Sequence, residues 1–450
     1  MDSSAEAATG GKPLTHDLIV THAHVVTVDA ADTVIADGAV AVSAGRIARV
    51  GTAAAVGTDA REVVDGKGMI LMPGLVNTHC HAADSLFRGL IEDLPLEPWL
   101  RLVWQAEAAT LSPRTVRLGA TLGLAELLLG GVTTTMDFFW YPEEGVAAAR
   151  ALGVRIATGG MFFDAPAVDG IAPGDRPAAA ARFFEAFAGA EDVLPGCFPH
   201  GAYTVGPESL VAAKRLADAR GGLFSVHAAE TRAERETVTA RYGRSVVRHL
   251  DALGVLDART VLAHCVWLDD EEIAILARTG ASVAHNPMSN LKLASGIARV
   301  PDMLRAGVRV TIGTDGAISG NDLDMWMALR LAATLHRGTT LDVTAVTTGQ
   351  ALRMATIEGA AALAAADRLG SLEPGKLADL VLVDLTRAHA APLFDPRTHL
   401  VFSCAKGDVR HVFVGGRQVV RDGALTRVDL AGTLADVAAL APGIAASVAG

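Results

Sequence analysis

MPGLVNTHCHAADSLFRGL, residues 72–90, decides the fold: an apolar run ends on His79 and His81. Side chains alternate faces along a strand, so residues two apart point the same way. Two imidazoles on one face of a strand's end can grip one divalent cation. Such a cation needs further ligands, and three later strand ends supply candidates: His227, His264 and Asp315. An H-x-H pair alone is weak, because core and surface histidines are common. It gains force when the other parts stand in register along the chain.

Working outward, short apolar strands alternate with helical stretches from Met69 to about Leu369. The strands read GLVNTH, VTTTMDFF, VRIATGGMF, LPGCFPH, LFSVHAA, TVLAHC, ASVAHNP and RVTIGTDG. One intervening helix starts at Ser112-Pro113 and stops at Gly130-Gly131; another starts at Pro207 and stops at Gly221-Gly222. Eight parallel strands with helices between them close into a barrel whose chemistry sits at the strands' C-terminal ends. Every candidate ligand falls at such an end. The predicted fold class is α/β, a (β/α)8 barrel over 73–370. Gly- and Asp-punctuated alternation before it (1–72) and after it (371–450) predicts one small β domain built from both chain ends, with a terminal helix.

Composition narrows the function. Half the residues are hydrophobic and the net charge is −11, which argues against nucleic acid or anionic membrane as a partner. No apolar run is read as long enough to span a bilayer. The polar start MDSSAEAATGGKPLTHD lacks the apolar core of a signal peptide. Cys80, Cys197, Cys265 and Cys404 form no C-x-x-C pair, which suggests free thiols in a reducing cytosol. Cys80 and Cys265 neighbour candidate ligands on their strands, so they point the other way and pack. A second H-x-H, His22 and His24, lies in the N-terminal strand text without carboxylate companions and reads as exposed strand histidines.

Neutral imidazoles plus one carboxylate suit Zn²⁺, with Fe²⁺ the alternative. The ligand set read here is His79, His81, His227 and Asp315. Glu230, three residues past His227, can reach over the metal as a general acid/base. His264 orients the attacking hydroxide and polarises the attacked carbon. No lysine occurs between Lys67 and Lys214. A carboxylated lysine bridging two metals is therefore not available there, and one metal per subunit follows.

The segments PGLVNTHCH, HAAE, AHC, SVAHNPMSNLKLASGI and GTDGAISGND together resemble the amidohydrolase superfamily, over about Asp17 to Gly423. They are most similar to the branch of 5-methylthioadenosine/S-adenosylhomocysteine deaminases and s-triazine hydrolases. The resemblance implies the barrel, the split β-sandwich, usually a homodimer, and the same residue roles. It also implies a hydrolytic mechanism, in which a metal brings the pKa of water to about neutral. Asp315 takes the water's proton, hydroxide attacks an amidine-like ring carbon, Glu230 protonates the adjacent ring nitrogen, and ammonia leaves.

On the substrate side, Trp99 and Trp104 lie in a long amphipathic first loop and can stack on a flat heterocycle. PHGAYTVG resembles the family's substrate-side stretch, with Ala202 in place of its proline, which makes His200 a hydrogen-bond partner for the ring. Glu107 falls near the family position that binds ribose hydroxyls, and Arg176 near one that can bind an amino-acid carboxylate. A second arginine of the adenosylhomocysteine type would fall near Gly160, which argues against that substrate. Asn286 and Ser319 are further candidates for the pocket. The expected function is deamination of an amino-substituted N-heterocycle (purine, pterin or triazine-like) by a cytoplasmic enzyme. One alternative is displacement of chloride or an alkylamine from a triazine-like ring; another is a non-catalytic scaffold.

Overall fold

The computed structural model describes residues 15–448. The start of the chain read as a polar tail lies, up to Leu14, outside the described residues. The small domain opens on the strand His16–Val26. That strand pairs antiparallel with Val34–Ser43, which in turn pairs with Arg46–Thr52. It also pairs in parallel with Ala60–Asp65 through its first half and with Met69–Pro73 through its second. A break between Val20 and Ala23, where His22 takes a left-handed φ of 59°, lets one strand serve both neighbours. His22 itself meets only Asp37, at 2.9 Å, on the surface.

Met69–Pro73 then receives Leu380–Asp384 from the far end of the chain, followed by Val409–Val414, Arg417–Arg421 and Ala424–Leu425. The two chain ends thus form one continuous nine-stranded sheet bent about its own core. Leu18, Val20, Val40, Leu71, Leu380 and Phe413 fill that core. Strand alternation puts Ile19 on the opposite face, with Ala39, Ala41 and Val56.

The barrel strands are Leu75–His81, Val132–Asp137, Arg155–Phe162, Val193–Pro199, Leu223–Ala228, Thr260–His264, Ser282–His285 and Val310–Ile312, each parallel to the next. The eighth is interrupted. It pairs with the seventh over Val310–Ile312, turns, and resumes at Asp315–Gly316 beside the first. The register of closure is Asp315 against Cys80 and Gly316 against His81. Closing the barrel therefore places Asp315 next to the H-x-H pair. Gly313 makes the approach possible, since a Cβ there would stand 2.8 Å from His79 Cβ and 2.2 Å from Asn286 Oδ1.

The expected helices form. Pro113–Leu129 starts on a Ser112–Thr115 capping box with Pro113 in the first turn and ends at Gly130. Pro207–Ala219 ends just before Gly221, whose φ is 64°. Two further helices shape the barrel mouth. Leu96–Thr110, in the loop after the first strand, buries Trp99, Val103, Ala106 and Glu107. Leu430–Val448 packs Val437, Leu440, Ile444 and Val448 into the apolar cluster behind it, and Gln105 Nε2 donates to Ser447 O at 2.7 Å. By length and composition this last helix is sufficient to cross a bilayer, which corrects the expectation that no run is long enough. Its inner face covers the substrate-side helix, and Pro442 interrupts its hydrogen-bond ladder.

Candidate active site

His79 and His81 end the first barrel strand, His227 the fifth, His264 the sixth, and Asp315 stands where the eighth resumes. His264, Asp315 and Ala229 take left-handed φ values of 74°, 64° and 52°. Three strand ends thus turn in a conformation that non-glycine residues avoid, and such strain collects at functional sites.

The hydrogen bonds define the tautomers. His81 Nδ1 donates to Phe138 O at 2.6 Å, and His227 Nδ1 donates to His200 O at 2.7 Å. A carbonyl only accepts, so both Nδ1 atoms carry the hydrogen and both Nε2 atoms offer lone pairs. Those two Nε2 atoms are 3.3 Å apart. Asp315 Oδ1 lies 3.2 Å from His81 Nε2 and 3.4 Å from His79 Nε2. With Zn–N bonds of about 2.0–2.1 Å, the edge of a tetrahedron is about 3.3–3.4 Å. Acceptors converging at that spacing repel unless a cation sits among them. His79, His81, His227 and Asp315 therefore fit a divalent metal, with both His79 ring nitrogens buried and free of any hydrogen-bond partner.

His264 and Glu230 stand beside this group. His264 Nε2 is 3.7 Å from Glu230 Oε2, while its Nδ1 meets Asn290 Oδ1 at 2.9 Å and Asn286 Nδ2 at 3.3 Å. His264 also lies close enough to His79 and His227 to share an ion with them. Its ring is turned toward Glu230, so the arrangement suits a neighbour of the metal. Burial raises the Glu230 carboxyl above its ordinary range, against the pull of His264. Glu234 Oε2 accepts from the Glu230 backbone N–H at 2.7 Å and anchors the loop.

A cavity opens over these residues. Of the residues expected to meet substrate, Trp99, Trp104, Glu107, His200 and Ser319 line it. His200 Nδ1 is taken by Thr204 Oγ1 at 2.9 Å, and Trp104 meets the His200 ring edge-on. Trp140 Nε1 donates to Glu107 Oε2 at 3.4 Å, and burial, then the neighbouring Asp84, raise the Glu107 carboxyl.

Two expected residues are outside the wall. Arg176 is 1% exposed, and its guanidinium is taken up by Asp169 and the carbonyls of Met161, Phe163 and Ile171. It has no free donor for a substrate carboxylate. A side chain at Gly160 would meet Ala180 Cβ at 2.3 Å, so a second arginine does not fit there either. Asn286 sits behind His264, its Nδ2 3.3 Å from the ring Nδ1. Sequence reasoning passed over Asp84, Tyr203, Phe138, Phe139 and Trp140, which all line the cavity, and Asn290, which lies inside a quoted motif.

A parallel barrel with imidazoles, an aspartate and a glutamate–histidine pair at its C-terminal mouth has the architecture of a metal-dependent hydrolase. The chain belongs to the Amidohydrolase family, whose profile matches residues 70–419. It is 40% identical over 354 residues to a 5-methylthioadenosine/S-adenosylhomocysteine deaminase of Thermodesulfovibrio yellowstonii, covering 78% of this chain and 81% of that one. It is 38% identical over 370 residues to a 5'-deoxyadenosine deaminase of Methanopyrus kandleri, covering 82% and 85%. Among solved structures, an adenosine deaminase from Xanthomonas campestris with bound zinc superposes with a TM-score of 0.93 at 35% identity, over 95% of this chain and 98% of that one. An atrazine chlorohydrolase from Arthrobacter aurescens complexed with zinc gives 0.86 at 26% identity, over 94% and 100%.

Proposed function

We propose that this protein is a metal-dependent aminohydrolase that releases ammonia from an amino-substituted N-heterocycle, with purine nucleosides of the adenosine type as the leading substrates. The carrying observation is the placing of Glu230 and His264 beside the converging side chains of His79, His81, His227 and Asp315, under a cavity walled by Trp99, Trp104 and Trp140. Similarity to deaminases at 38–40% identity supports ammonia as the leaving group over chloride.

The residues divide the work. His79, His81, His227 and Asp315 would hold the metal, Zn²⁺ by the nitrogen-rich donor set. When bound, the metal supplies hydroxide at neutral pH by lowering the pKa of water. Asp315, at the point where the eighth strand resumes beside His79 and His81, accepts the proton that water gives up. Glu230, whose carboxyl burial raises above its ordinary range, donates a proton to the ring nitrogen next to the attacked carbon. His264, locked by Asn290, steers the attacking oxygen. The proton held by Asp315 passes to the leaving nitrogen, the attacking hydroxyl returns its remaining proton to Glu230 as the carbonyl forms, and ammonia departs. Glu107, held by the Trp140 indole, is placed to accept from sugar hydroxyls. Arg176 is no longer part of the substrate reading.

We further propose a cytosolic location, supported by four buried free thiols, and a homodimer. The test is ammonia release by the zinc-loaded protein across adenosine, 5'-deoxyadenosine, 5-methylthioadenosine, pterins and aminotriazines. Release of chloride or alkylamine from a triazine, with no ammonia from any ring, overturns the deaminase reading in favour of displacement. No turnover by protein with confirmed metal points to a scaffold.

A further inference from the structure

Asp84 lines the same cavity and has no task in the chemistry above. It sits in the short turn Ala82–Phe87 that follows the first barrel strand. Its side chain is 5% exposed, and Oδ1 is buried with no hydrogen-bond partner. The two ordinary explanations of a buried carboxylate both fail here. It does not orient a metal-binding histidine, because His81 Nδ1 is committed to Phe138 O and its Nε2 faces His227 and Asp315. No lysine or arginine lines the cavity among the described residues to pair with it, and its charge neighbour His81 makes its own contacts to Phe138 O and Asp315.

The fold makes room for it. A Cβ on Gly316, the residue after Asp315, would come within 2.8 Å of Asp84 Oδ2. The carboxyl therefore occupies the space beside the reacting centre that a side chain at 316 would claim. In a closed eight-stranded barrel the first and fifth strands lie across the mouth from each other. Asp84 follows the first and Glu230 follows the fifth. A flat ring whose reacting carbon sits between them turns one flank to Glu230 and the other to Asp84. A buried polar group without a partner is costly. Oδ2, the oxygen at the Gly316 gap, has no protein partner among the described residues either, and substrate in the cavity can supply one.

We propose that Asp84 is a specificity-determining residue whose carboxylic acid donates a hydrogen bond to the lone pair of the nitrogen on the heterocycle's second flank, opposite the ring nitrogen served by Glu230. The assignment rests on the aminohydrolase reading. In a purine that nitrogen belongs to the five-membered ring. In a triazine it is the second ring nitrogen adjoining the attacked carbon. A site built around such a bond rejects analogues that lack it far more strongly than an apolar pocket would.

The experiment compares kcat/KM for adenosine and 7-deazaadenosine, in which CH replaces that nitrogen, for the zinc-loaded wild type, Asp84→Asn and Asp84→Leu. Metal content and Tm are measured alongside, and Asp84→Asn serves if the leucine variant folds poorly. The wild type prefers adenosine tenfold or more. Asp84→Leu brings the two substrates within threefold of each other, chiefly by losing activity on adenosine, and Asp84→Asn keeps part of the preference. If a pterin or triazine is the active substrate, the same comparison runs on that ring and its CH analogue. Equal losses on both members of the pair, or a wild type indifferent to the nitrogen, overturn the assignment while leaving the deaminase reading intact. No ammonia from any ring overturns both.

Discussion

His81 Nε2 and His227 Nε2 face each other across 3.3 Å, and each ring has already spent its hydrogen on a backbone carbonyl. The carbonyls of Phe138 and His200 thus do more than hold two rings. In the neutral rings this leaves both Nε2 atoms without a hydrogen, and a bound metal ion relieves the contact for all the converging groups at once. Binding to the folded state alone stabilises it by mass action, by about 2.7 kcal/mol at a hundredfold excess over the Kd. Zinc added to chelator-stripped protein should therefore raise Tm and restore one metal per chain by elemental analysis. His227→Ala should abolish both effects. An unchanged Tm and stoichiometry in that variant would refute the site.

Glu230 and Asn290 act on either side of His264, and they separate chemistry from orientation. Glu230→Gln removes the acid without removing a metal-binding group. It should lower kcat by about 10²–10⁴-fold, the usual worth of a positioned proton carrier, with metal content unchanged. Asn290→Ala leaves the acid in place but frees His264 Nδ1. It should lower kcat by roughly 10-fold and leave KM nearly alone, since second-layer partners of this kind are typically worth 10–100-fold. Steady-state kinetics on the same substrate distinguish the two. A larger loss from Asn290→Ala than from Glu230→Gln would reverse the assigned roles.

Arg176 and Asp169 are buried at 1% and 6% side-chain exposure with 3.0 Å between them. The Arg176 guanidinium also lies over the Trp140 ring, 5.5 Å from its centre. Removing one partner of a buried pair leaves the other charge stranded, at a cost of about 3–5 kcal/mol. Arg176→Ala should lower the urea midpoint accordingly. It should raise KM equally for substrates with and without a carboxylate. A selective loss on carboxylate-bearing substrates would restore the substrate-binding role that the geometry denies.

These residues also mark where sequence reading runs out. The end of a strand is a local fact: apolar alternation ends, a histidine or aspartate follows, and parallel closure carries all such ends to one mouth. His79, His81, His227, His264 and Asp315 were legible on that basis, as was the assembly of the small sheet from both termini. The cavity wall is not local. Which face of Leu96–Thr110 looks inward depends on the helix Leu430–Val448 packing behind it from the other end of the chain. Arg176 misled because a lone arginine in sequence does not reveal that Asp169, seven residues earlier, has claimed it. Asp84 stands within residues 72–90 but carries no motif; only the fold, in which its carboxyl fills the space that a side chain at Gly316 would take, brings it to the cavity.

Glu234 provides a pH test outside the metal-binding group. Burial pushes its carboxyl up to about 8, against the pull of the Glu230, Ala229 and Thr231 backbone N–H groups. Unfolded, it returns to the ordinary value near 4.5. Between those two values the folded state binds the proton that the unfolded state has released. Its contribution to stability is therefore complete below about pH 4.5 and is lost as pH rises toward about 8. Glutamine keeps a carbonyl to accept the Glu230 N–H and has no proton to lose. Glu234→Gln should match the wild type near pH 4.5 and exceed it in denaturant stability by pH 8, with kcat little changed because the loop anchor survives. Urea titrations at several pH values across that window measure the difference. Parallel stability curves for the two proteins would show that Glu234 is ionised in the fold throughout, and that its loop is held by charge rather than by a neutral hydrogen bond.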